Sequence, residues 1–145
     1  MKTQFTDLLK ISKNKLQTLE REVALIRAKI ENINLVIIEK EEEILKEEIL
    51  KIEYPISGTF SVFQQYNITM HNMKRYIEDL KLNKLSLTDK INNIRQKMVE
   101  VNREIEKFKY LENQVLEARR EELKKLEEKN LDEIAVMLYK KDKNI

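Results

Sequence analysis

Tyr54-Pro55-Ile56-Ser57-Gly58 holds the only proline and the only glycine in a chain of 145 residues. Proline removes a backbone donor and fixes φ, and it pushes the preceding residue out of the α region. Glycine adopts the conformations that reverse a chain. Everything on either side is compatible with helix. The stretch is therefore the one place where the chain is expected to double back, with a first helix over about 3–53, a turn over 54–60 and a second helix over about 61–141. The fold class read from this is all-α: two long helices in an antiparallel coiled-coil hairpin, the second longer, forming a single domain over residues 1–145.

Composition agrees. Charged residues make up 37% of the chain and apolar ones 41%, whereas an average globular domain carries about 7% glycine and 5% proline. A chain rich in Glu, Lys, Leu and Ile with almost no breakers belongs to the long-helix class, whose core is a narrow seam. The 28 basic and 26 acidic residues nearly cancel, which argues against a nucleic-acid partner, since such proteins carry a clear basic patch. Cysteine is absent, in keeping with a reducing compartment. The opening Met1-Lys2-Thr3-Gln4-Phe5 lacks the apolar centre of a secretion signal. The longest apolar runs, at 35–38 and 134–139, fall far short of the roughly 20 residues that span a bilayer. No direct membrane insertion is expected, and a cytoplasmic location is.

Upstream of the hinge, apolar residues recur in steps of four and three at Phe5, Leu9, Leu16, Leu19, Val23, Ile26, Ile30, Ile33 and Ile37, interrupted by Ser12. A period of 3.5 keeps one stripe against a partner helix. Thr3 or Thr6 is a candidate cap for the start. Beyond Ile37 the register lands on Lys40, Ile44, Glu47 and Lys51, while a competing set appears at Ile38, Leu45, Ile49 and Ile52, which suggests a local change of phase. Residues 39–53 also hold seven acids against three lysines. Such a run ordinarily makes a solvated helix face.

Downstream, Ser61 and Gln64 have capping-box spacing. The stripe then runs Phe63, Tyr66, Met70, Met73, Ile77, Leu80, Leu87, Ile91, Ile94, Met98, Val101, Ile105 and Phe108, broken only by Lys84. A lone polar residue in a seam often fixes register at some cost in stability. After Phe108 the stripe thins to Leu111, Val115, Leu123, Leu126, Leu131, Ile134 and Leu138, across a densely charged stretch at 117–129 that is either a solvated helix or a partner's contact.

With the turn centred near Ser57, residue i faces about residue 114 − i, so Met1 lies beside Asn113. About 30 residues of the second arm then have no partner within the chain, an overhang of roughly 45 Å at 1.5 Å per residue. A solvated helix needs no apolar residues, yet this one carries Ile134-Ala135-Val136-Met137-Leu138-Tyr139. That surface calls for self-association or a partner's cavity. Near the turn, Tyr66 and Met73 meet Glu48 and Glu41 by the same arithmetic. Tyr66, Met70, Met73 and Ile77 are therefore either core or a partly exposed face for a partner helix. A two-helix seam buries little, so the tip and overhang are expected to fray or the chain to dimerise.

No catalytic constellation is present. His71 stands alone without cysteine, one glycine makes no phosphate loop, and the carboxylates lie on helix faces without an enclosing pocket. The chain is read as no enzyme, with no metal and no cofactor.

Three features together make the chain resemble the FliJ family of the bacterial flagellar type III export apparatus. These are the hairpin with a longer second arm; Phe63-Gln64-Gln65-Tyr66, similar to the family's aromatic-Gln-Gln-aromatic stretch; and Glu128-Lys129-Asn130-Leu131-Asp132-Glu133-Ile134-Ala135, similar to its basic, then apolar-Asp-Glu-apolar-Ala signature. Injectisome stalk proteins of the same superfamily share this shape. The resemblance implies a stalk between a hexameric export ATPase and the membrane-embedded export gate protein FlhA, peripheral to the inner-membrane apparatus, that also binds export chaperones. It implies ATPase contacts at Leu131, Asp132, Glu133, Ile134 and Ala135, and gate contacts at Tyr66, Met70, Met73 and Ile77. Met73 and Ile77 are bulkier or more apolar than the family pattern, and no residues are assigned to chaperones. The alternative is a structural coiled coil that self-assembles into a four-helix homodimer without any ATPase.

Overall fold

The computed structural model describes residues 2–53 and 60–143. They form two helices, α1 (Thr6–Glu53) and the longer α2 (Phe60–Lys143), with no strand among the described residues. The turn read at 54–60, Pro55 included, lies at 54–59 outside the described residues. α2 begins at Phe60, so Ser61 already sits inside the helix and its expected role as the cap does not hold. α2 runs unbroken past Ser86 and Asp89.

Packing divides the chain into two units, one of Met1–Leu16 with Val99–Ile145 and one of Gln17–Met98. In the second unit the helices run antiparallel, with Lys81 pairing with Glu41 at 3.9 Å and Lys74 with Glu48 at 3.6 Å. Its core is built by Ile37, Ile44, Met70 and Ile77, flanked by Ile33, Tyr66, Met73 and Leu80. These are positions of the 3.5-residue stripe from both helices. Further along the same seam Val23, Leu87 and Ile91 are buried. Lys84, the one polar residue in the second stripe, is half-buried, a position that the apolar stem of a long cationic side chain tolerates.

The expected change of phase beyond Ile37 does not occur. Ile44 stays buried and Lys40 and Lys51 half-buried, in the original register, while the competing set points to solvent. The physical reason lies opposite. The Lys51 ammonium sits 5.1 Å from the centre of the Phe63 ring and 4.9 Å from that of Tyr66, so a lysine occupies a seam position through its stem and a cation–π contact.

In the first unit the start of α1 lies against α2. Phe5 stacks on Phe108 with ring centres 6.2 Å apart, and Leu9, Ser12 and Ile105 are buried. Ser12 interrupts the apolar series, yet it is the most deeply buried of them at 2% exposure. Thr3 provides the cap. Its Oγ1 accepts from the Phe5 amide at 3.1 Å, and its own amide donates to Thr6 Oγ1 at 2.9 Å, satisfying donors that a helix start leaves unpaired.

Glu112 ties this corner together. Its Oε2 accepts from the hydroxyls of Thr3 and Thr6, both at 3.0 Å. Hydrogen bonds to a charged group are worth about 1.5–3 kcal/mol each when sheltered from water. Glu112→Ala is therefore expected to cost about 1–2 kcal/mol, allowing for partial exposure. The loss should appear in hydrogen exchange as faster exchange confined to the first turn of α1. Equal protection there in wild type and variant would refute this role. The surface pairs Lys81–Glu41 and Lys74–Glu48 are each about half exposed, so Glu41→Gln is expected to change stability by less than about 1 kcal/mol in thermal melts.

Candidate functional site

Leu131, Asp132, Glu133, Ile134 and Ala135 all lie on the exposed final stretch of α2, in the first unit. Within that unit Arg119 Nη1 donates a hydrogen bond to the Lys2 carbonyl at the start of the chain, at 3.2 Å. Every described residue from Arg120 on is exposed. Leu123, Leu126, Leu131, Ile134, Met137 and Leu138 are each 53–71% exposed. At 100° per residue Leu131, Ile134 and Leu138 share one side of the helix, while Asp132 and Glu133 face away from it. The arrangement is a bare helix with a greasy stripe and a charged back. Lys140, Lys141 and Lys143 lie in the last turn, where cations complement the helix dipole, and Lys143 reaches over the Tyr139 ring at 5.2 Å. Nothing in that stretch depends on packing against the rest of the chain. Leu131→Ala is accordingly expected to leave thermal stability unchanged within about 0.5 kcal/mol.

The other set of residues lies in the second unit and divides in two. Met70 and Ile77 are buried at 7% and 5% exposure, whereas Tyr66 and Met73 are half-buried at the seam's edge. The Tyr66 hydroxyl donates to the Glu47 carbonyl at 3.4 Å. The expected encounter of Tyr66 with Glu48 and of Met73 with Glu41 is resolved by the acids turning outward to Lys74 and Lys81. What remains is a shallow cleft of about 310 Å³, lined by Glu43, Lys46, Glu47, Tyr66, Thr69, Met70 and Met73. It is apolar at its floor and charged at one rim. His71 is exposed. No group of acidic or histidine side chains suited to a metal ion occurs among the described residues. No described helix is long and apolar enough to cross a membrane.

Sequence reading missed Glu112 as a structural residue. The signal was present, because continuing the four-three steps from Phe108 gives Glu112 and Val115. A carboxylate at a seam position is explained only by the two threonine hydroxyls that meet it.

Two long helices joined by charged-rimmed seams, with apolar stripes left open, define a coiled-coil protein. The chain belongs to the flagellar FliJ protein family, whose model matches residues 1–144. Membership makes it a component of the flagellar protein export apparatus. No curated protein and no solved structure matches the chain.

Proposed function

We propose that the chain is a cytoplasmic stalk that couples the hexameric export ATPase to the export gate at the inner membrane and that handles export chaperones. The observation that carries this reading is the bare apolar stripe of α2 beyond Arg120, which spans roughly 35 Å at 1.5 Å per residue. Sustained exposure of that much apolar surface is unfavourable in water, so the stripe marks a contact with another protein. In this reading Leu131, Ile134 and Ala135 enter the ATPase ring and Asp132 and Glu133 pair with its polar lining. The gate binds the edges of Tyr66 and Met73, which Met70 and Ile77 hold in place from beneath.

Site-specific photocross-linking tests both halves. A cross-linker at Leu131 is expected to capture the ATPase, and one at Met73 the gate protein. Capture of neither partner from cells with an intact export apparatus would refute the coupling role.

A further inference from the structure

The side chains that fail to join the seam of the second unit form a seam of their own. Leu35, Ile38, Glu42, Leu45, Ile49 and Ile52 follow one another on α1 in steps of three and four. The five apolar ones are 60%, 53%, 56%, 45% and 80% exposed, in that order. Their spacing is that of a coiled-coil stripe, on the side of α1 turned away from α2. One helix thus carries two stripes, and α2 covers one of them.

We propose that this outward face binds the same face of a second copy of this chain, antiparallel and about a two-fold axis. The charges bordering the stripe select that partner. Antiparallel pairing of Leu35 with Ile52 of the second copy, and of Ile38 with Ile49, brings Leu45 onto Glu42. In this register one edge of the contact sets Glu39 against Lys46 of the other copy, twice by symmetry. Glu39 and Lys46 make no ion pair within the chain among the described residues, so both are available. The other edge is formed by Glu41 and Glu48, which bring their own counter-ions, Lys81 and Lys74.

Neighbouring registers are disfavoured. Sliding the second copy one heptad in either direction opposes Glu39 to Glu39 or Lys46 to Lys46. Parallel pairing sets Glu42 against Glu42 in a single layer. Like charges in contact across an interface suppress wrong pairings. The symmetric contact is isologous and closes on itself, so it gives a dimer and no filament. Burial of the five side chains and their neighbours' stems totals on the order of 1,000 Å² over both copies, at the lower end for a specific interface, so the association is weak and reversible. This contact is independent of the ATPase assignment, and with the cleft beside Tyr66 and Met73 it shares Lys46, which lies at its edge.

Sedimentation equilibrium of the full chain tests it. A reversible monomer–dimer equilibrium is expected in the micromolar range. Leu45→Asn should weaken it at least tenfold without loss of helicity, because Leu45 is exposed in the single copy. Lys46→Glu should also weaken it, and adding Glu39→Lys to that variant should restore it. Glu42→Leu, which completes the stripe, should tighten it about tenfold. A chain that stays monomeric into the high-micromolar range, in wild type and in Glu42→Leu alike, would overturn the proposal. So would a dimer indifferent to Leu45→Asn but dissolved by Leu138→Asn, since that result would place the contact on the end of α2.

Discussion

Deleting residues 131–145 is expected to abolish co-purification with the cognate export ATPase while leaving a folded protein. The two parts of that result have separate causes. All described residues removed are exposed, and the first unit is held at the start of α1 by Phe5–Phe108, by Glu112 and by the Arg119–Lys2 contact. Circular dichroism should therefore show a loss of helix proportional to the deleted length and little change in melting temperature. Binding should fall by far more. Large apolar side chains seated in a partner's pocket dominate such interfaces, and removing several together costs well over about 4 kcal/mol, a factor of about a thousand in affinity. Retention of ATPase binding by the truncated chain would remove residues 131–135 from the contact. Loss of binding accompanied by a collapsed melting curve would instead mean that the deleted stretch is needed for folding.

The second large effect is expected from Ile77→Asn. Ile77 is 5% exposed and packs with Ile37, Ile44 and Met70. The substitution removes buried methyl groups and leaves an amide among apolar neighbours with no partner arranged for it. Cavity and desolvation costs add, to about 3–5 kcal/mol. Natural domains have a margin of only about 5–15 kcal/mol, so urea melts should show the midpoint falling steeply. Ile134→Asn is the control, being the same chemical change at a position 53% exposed, and it should leave the midpoint nearly unmoved. Equal effects at the two sites would contradict the burial pattern described for α1 and α2. The pair also separates folding from binding. If gate binding is lost in Ile77→Asn only in proportion to unfolding, Ile77 acts by supporting Tyr66 and Met73, without touching the gate itself.

Much of this was legible in the residue pattern. The stripe of the second arm, from Tyr66 through Phe108, is the buried or half-buried edge of α2 at each apolar position. The partner arithmetic also holds within each unit, as in Phe5 against Phe108 and Tyr66 against Glu47. The bare end of α2 followed from counting, since one arm has more residues than the other can cover. Other features were hidden. Ser61 looked like a cap because serine and glutamine three residues apart fit the pattern, but helix starts are decided by the backbone preceding them. Between Ile37 and Ile52 two apolar series compete, and spacing does not rank them.

The residue order alone determined that the chain is helical, that it offers one place to reverse, and that its later helix outruns the earlier one. Those properties follow from backbone preferences and from length, which are local or additive. The tertiary structure decided which stripe of α1 lies inside near the tip, with Lys51 accepted in the seam and Leu45 left outside, and that Glu112 binds two threonines at the other end. Periodicity tells a helix which faces are apolar. Only the side chains across the gap decide which face is covered, because the cost of burying a polar group depends on the partner it meets there.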